Sequence, residues 1–258
     1  MLAVAAIWSL QMTLAGPAAA QEKLGEAVVI RNNVTGQPPQ GATRQIAVSD
    51  PVHGAELISA DAASHGELQL NDGSLVIVGE NSSISLDDFV VSGNSFSAAT
   101  LNVAKGAFRF ISGESPKQAF RIQTPLSSIG VRGTVFDVYV DPADGNTKVV
   151  LLSGAVRVCT RGQVCVNAAR ACDIVEVRSE TEIGRIPFLR SRERGRREEA
   201  EQFTLTEQQN RFQRRWRAPM LACRSRAALE ALPGGSQTGA GDVDVPSNEG
   251  NDDKGDYD

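Results

Sequence analysis

The chain has 258 residues, with 26 Lys plus Arg against 31 Asp plus Glu, a formal net charge of −5, and 41% apolar residues. That apolar share supports a packed core and excludes a wholly disordered chain. Two histidines, His53 and His65, are too few for a His-rich metal cluster. Only the start of the chain approaches the ~18 apolar residues needed to span a bilayer. Charge is unevenly placed. Residues 1–20 carry none, residues 21–184 hold 13 basic and 18 acidic side chains, residues 185–232 hold 12 Arg against 6 acids, and residues 233–258 hold one Lys against 7 acids.

Residues 1–20 read as a secretory signal peptide. An apolar run from Leu2 to Ala15 is broken at Gly16-Pro17, and Ala18-Ala19-Ala20 fits cleavage before Gln21. The run is short for an uncleaved anchor, and no Cys follows the cleavage site to carry a lipid. Export to the periplasm implies an oxidising compartment for Cys159, Cys165, Cys172 and Cys223. A hairpin turning at Arg161-Gly162-Gln163 sets Cys159 opposite Cys165 within disulfide reach, which leaves Cys172 to pair with Cys223. The cysteine spacings do not match a zinc knuckle, and no metal is expected.

Residues 21–54 read as lead-in strands, and residues 55–184 as a β domain. Apolar and polar residues alternate in Glu67-Leu68-Gln69-Leu70, Phe108-Arg109-Phe110 and Val156-Arg157-Val158. Leu75-Val76-Ile77-Val78 is continuous, as in a strand buried on both faces. Turn signals recur at Asn71-Asp72-Gly73, Ser92-Gly93-Asn94, Ser112-Gly113 and Asp144-Gly145-Asn146. No crossover helices appear, which excludes a doubly wound dinucleotide fold. A loose repeat of Gly-x-apolar-polar-apolar begins at Gly66, Gly106 and Gly154. The expected fold is mainly β, either solenoid-like or a two-layer sandwich.

Asn71 to Ile77 is followed by Asn81 to Leu86, by Leu101 to Phe108, by Ile122-Gln123-Thr124-Pro125 running on to Gly130-Val131-Arg132-Gly133-Thr134-Val135-Phe136, and by Thr147 to Val156. This ordered set, over about residues 55–160, resembles the FecR domain, a periplasmic β module of bacterial envelope signalling. Asp72, Gly73, Ser74, Thr124, Pro125, Gly130, Arg132, Gly133, Thr134 and Phe136 carry the resemblance. Each also has a local reading. Asp72-Gly73 supplies a turn with φ > 0, and Pro125 ends a strand. Gly130 and Gly133 imply a bulge or a close backbone approach. Arg132 is expected to satisfy nearby carbonyls or a carboxylate such as Asp137 and so lock the turn; the competing role is contact with a partner or an anion. The resemblance implies signal transfer. In signalling members of the family a cytoplasmic anti-sigma region and a membrane helix precede the domain. This chain departs from that plan, so it reads as an exported stand-alone FecR-like protein, and direct control of a sigma factor is not expected.

Residues 185–232 read as an Arg-rich helical arm. Thr204-Leu205-Thr206-Glu207 forms a capping box, and Pro219 stops the helix. Phe212 and Trp216 share one face beside Arg211 and Arg215, a candidate partner surface. Export argues against nucleic acid; peripheral contact with anionic lipid is the alternative use of this arm. Residues 233–258 read as an acidic disordered tail.

No catalytic residues are expected. His53 and His65 lack a nucleophile motif, Asp87-Asp88 point to opposite faces of a strand, and Asp141 and Asp144 do not form a Ca²⁺ loop. No cofactor is expected. The leading expectation is a non-enzymatic envelope module that binds a protein partner through its sheet face or an edge. The alternative is an envelope scaffold held to membrane or cell wall by the Arg-rich arm.

Overall fold

The computed structural model of the protein describes residues 22–186 and Leu205. The described residues form strands β1 (Lys23–Arg31), β2 (Val34–Gln37), β3 (Arg44–Gln45), β4 (Pro51–His53), β5 (Leu57–Ala60), β6 (His65–Leu70), β7 (Leu75–Val78), β8 (Ser82–Ser92) and β9 (Ser95–Ile111). They continue as β10 (Phe120–Gln123), β11 (Ser127–Val131), β12 (Val135–Val140), β13 (Thr147–Ser153), β14 (Val156–Thr160), β15 (Cys165–Ala168), β16 (Ile174–Val177) and β17 (Ile183–Ile186).

Two layers result. Layer A runs β4-β1-β6-β7-β9-β12-β13-β16-β17. Layer B runs β3-β2-β5-β8-β9-β10-β11-β14-β15. In both layers the strands come in nearly sequential order, so the chain advances in one direction while passing back and forth between them. The described residues are thus mainly β, as expected, with their strands in two layers joined through β9. All pairings are antiparallel except β9 with β10. Strand β1 pairs with both β4 and β6, so the first strand lies inside layer A rather than ahead of it.

Strand β9 belongs to both layers. Its first part pairs with β8 and β10, and from Gly106 onward it pairs with β12. Gly106 sits at the crossing with φ +87, and Ser82 packs where a side chain would go. Only glycine takes that conformation at that spacing. Gly154, φ +85, marks the later passage from β13 in layer A to β14 in layer B. Gly66 has no such φ and lies within β6. The three Gly-led pentamers are therefore not equivalent strand starts.

The core lies between the layers. Phe110 of layer A meets Phe120 of layer B with ring centroids 4.8 Å apart, while Phe96 and Phe136 extend the cluster on either side. Strict alternation gives each strand one row of core residues, such as Phe108, Phe110, Phe136, Val138 and Val140 in layer A and Ile122, Ile129, Val131, Val156 and Val158 in layer B. All four residues of β7 are buried, as its continuous apolar run implies.

Candidate functional site

The Asp72-Gly73-Ser74 segment builds the β6–β7 turn. Gly73 takes φ +79. The buried Asp72 carboxylate accepts from the Ser74 N–H at 2.9 Å and the Ser74 hydroxyl at 2.8 Å. Ser74 Oγ in turn accepts from Gly113 N–H at 2.8 Å, and Glu114 N–H donates to Asp72 O at 2.9 Å. These three residues therefore fasten one turn to the loop after β9. Thr124 and Pro125 close the β10–β11 turn, where Ser127 N–H donates to Thr124 Oγ1 at 3.0 Å and the Thr147 hydroxyl donates to the same oxygen at 2.9 Å.

The Gly130-to-Phe136 segment divides by residue. Gly133 has φ +66, and a Cβ on Gly154 would lie 2.3 Å from the Gly133 carbonyl, so these two glycines allow one close crossing. Thr134 is buried, with its N–H donating to Ser112 Oγ at 2.9 Å. Phe136 is a core ring. Gly130 does not bulge. It lies in a regular stretch of β11, and a Cβ there would meet only the Arg157 carbonyl oxygen, at 3.9 Å.

Arg132 does not engage Asp137. It is exposed at the end of β11 in layer B, whereas Asp137 points to the outer face of layer A. The partner of Asp137 is Arg109. Arg109 Nε donates to Asp137 Oδ1 at 2.5 Å and Nη2 donates to Oδ2 at 2.7 Å, with Arg109 fully buried. The register places Glu67, Ile77, Arg109, Asp137, Val150 and Ile174 on one rung across layer A, and all six are buried. Leu205 rests on this face against Leu75, Ile77 and Ala107, and its carbonyl accepts from Arg109 Nη2 at 3.2 Å. The middle of the outer face of layer A is thus buried.

The outer face of layer B is open and polar. One rung reads Leu57, Ser85, Asn102, Gln123, Ser128, Cys159 and Cys165. The next reads Asp87, Thr100, Arg121, Gly130, Arg157 and Asn167. Arg121 and Arg157 are exposed on either side of Gly130, with Arg132 further along the same line of β11. Asp87 accepts from Ser85 and Asn102. Sequence reasoning missed Arg121. The available signal was its place between the apolar Phe120 and Ile122, which fixes it on the face opposite the core.

Cys159 and Cys165 face each other at the end of the β14–β15 hairpin, Cα atoms 4.0 Å apart, and are joined by a disulfide. Cys172 is disulfide-bonded too; Cys223 lies outside the described residues. His53 lies 3.7 Å from the buried Glu56, and His65 Nε2 lies 3.1 Å from Glu67 Oε1. Asp141 and Asp144 each accept from the backbone two residues on, which makes them turn residues. Among the described residues no group of three or more His, Cys, Asp or Glu could hold a metal ion, and no helix is long and apolar enough to cross a membrane. The signal peptide, the helix expected from Thr204 except for Leu205, the surface of Arg211, Phe212, Arg215 and Trp216, and the acidic tail lie outside the described residues.

Comparison with known proteins follows this geometry. Two crystal structures of a candidate anti-sigma factor from Parabacteroides distasonis are similar, each at 19% identity and TM-score 0.41, covering 50% of this chain and 58% of that one. The chain thus spans little more than half the length of that protein. A cell surface anchoring domain is similar at 22% identity and TM-score 0.25, covering 26% of this chain and 88% of that domain. No curated protein matches. The family model described as FecR protein matches residues 56–157, from the start of β5 into β14, and this part of the chain is a FecR domain.

Proposed function

We propose that the protein is a non-enzymatic signalling module of the bacterial cell envelope, exported to the periplasm, that works by protein–protein contact through the outer face of layer B. The FecR family is regulatory rather than catalytic, which supports the reading as to kind. One observation carries the choice of surface. The middle of the outer face of layer A is buried around Arg109 and Asp137, whereas layer B turns a polar face outward, with Arg121, Arg132 and Arg157 exposed on it. Arginine is a residue type enriched where proteins bind proteins. Fold alone does not assign a role, so the site has to carry the argument.

The test is a crosslinking pull-down of the full chain from the envelope of its native host, repeated with residues 190–232 deleted. A discrete protein partner retained by the deletion variant supports signalling through the β domain. Recovery of membrane or wall material alone, lost on deletion and at high salt, contradicts it and favours a scaffold held by the Arg-rich arm.

A further inference from the structure

We infer that Arg121, Arg132 and Arg157, arranged around Gly130, form a carboxylate-recognition site that takes an extended acidic segment of a partner protein. The inference deepens the proposed function and rests on it. Arg121 and Arg157 flank Gly130 on one rung. They are two strand spacings apart, about 9.5 Å. Arg132 continues the line of β11, its N–H donating to Ala155 O at 3.2 Å. The Lys117 stem lies beside Gly133, adding a fourth positive charge to the rim.

Gly130 has no backbone reason to be glycine. Its φ is ordinary, and a Cβ there would meet only the Arg157 carbonyl oxygen, at an ordinary contact distance. What its missing side chain does provide is a bare floor between two guanidinium groups. Each guanidinium carries a planar fork that matches a carboxylate with two parallel hydrogen bonds.

Among the described residues these cations have no acceptor of their own. Elsewhere in the domain Arg44 pairs with Glu56, Arg109 with Asp137 and Arg178 with Glu176. The side chains of Lys117, Arg121, Arg132 and Arg157 make no hydrogen bond or ion pair among the described residues. The acid on their rung, Asp87, lies beyond Thr100 and is engaged by Ser85 and Asn102.

The surroundings favour a peptide over a lipid surface. Gln123 and Ser128 on the adjoining rung offer an amide and a hydroxyl to an extended main chain. Membrane insertion calls for aromatic or large apolar side chains around the basic groups. The large hydrophobics exposed among the described residues are Val48, Leu57, Val90 and Val164, none aromatic, and Leu57, which shares the rung of Gln123, lies three strands away from it.

The experiment uses the full, oxidised chain and a fluorescein-labelled decapeptide alternating Glu and Thr, with its Gln-for-Glu counterpart as control. Two variants accompany it: Arg121→Ala with Arg157→Ala, and Gly130→Glu, which places a carboxylate of the chain's own between the forks. Both change exposed positions, and thermal melting checks that they fold. The acidic peptide is expected to bind, the amide peptide to fail, and both variants to weaken binding by about tenfold or more at low salt, with melting unchanged. Equal binding by wild type and folded variants overturns the site, as does no peptide binding. Saturable binding of phosphatidylglycerol vesicles or inorganic phosphate in place of the peptide overturns it as well. The pull-down separates the two claims: a protein partner captured equally by wild type and Arg121→Ala/Arg157→Ala removes the site and leaves the signalling reading, whereas no partner for the wild type removes that reading.

Discussion

Arg109 and Asp137 form a bidentate ion pair on adjacent strands of layer A, fully enclosed beneath Leu205. Removing one member of such a pair strands the other charge away from water. Asp137→Ala or Arg109→Met alone is expected to cost about 3–5 kcal/mol in urea unfolding. The double variant Arg109→Met with Asp137→Leu, which leaves no charge behind, is expected to recover most of that loss. A double-mutant cycle with additive losses contradicts the pairing.

Leu205 contributes through packing. Its side chain is 5% exposed and covers Leu75 and Ile77. Leu205→Ala is expected to lower stability by about 2–3 kcal/mol, the low end for a buried leucine. Unfolding at the wild-type urea midpoint contradicts the contact.

Which side of layer A or B a residue faces was only partly legible in the sequence. Phe108-Arg109-Phe110 and Val156-Arg157-Val158 have the same apolar-polar-apolar form, yet Arg109 is fully buried and Arg157 is exposed. Alternation places both arginines opposite the core. Only the layer to which each strand is added, and what lies on its outer face, separates them. The same non-local fact redirects Asp137 from the nearby Arg132 to Arg109, 28 residues away. The hairpin disulfide was legible because its two cysteines lie six positions apart across one turn. The continuous apolar run of β7 also announced its two-sided burial. The Gly-led repeat misled because Gly106 and Gly154 mark layer crossings, set by positive φ, while Gly66 sits within a strand.

The glycines make opposite predictions. Gly154→Ala places a Cβ against the Gly133 carbonyl at a φ of +85, and is expected to cost more than about 1 kcal/mol. Gly130→Ala adds a Cβ at ordinary contact distance and an ordinary φ, and is expected to stay within about 0.5 kcal/mol of wild type. Comparable melting shifts for both variants contradict the account of the motif.

The Cys159–Cys165 bridge closes a short loop. Replacing both residues with serine is expected to destabilise the domain by about 2 kcal/mol. Peptide mapping without reduction is expected to recover residues 159 and 165 as a linked pair, and free thiols at these positions contradict the hairpin geometry.

The most direct measurement places a photo-reactive amino acid at Gln123, on the open face of layer B, and at the exposed Arg178 as a control, in the full chain expressed in its native host. The account predicts a discrete protein adduct from position 123, absent from position 178 and abolished by Arg121→Ala with Arg157→Ala. No adduct at position 123, or one that persists without the two arginines, contradicts it.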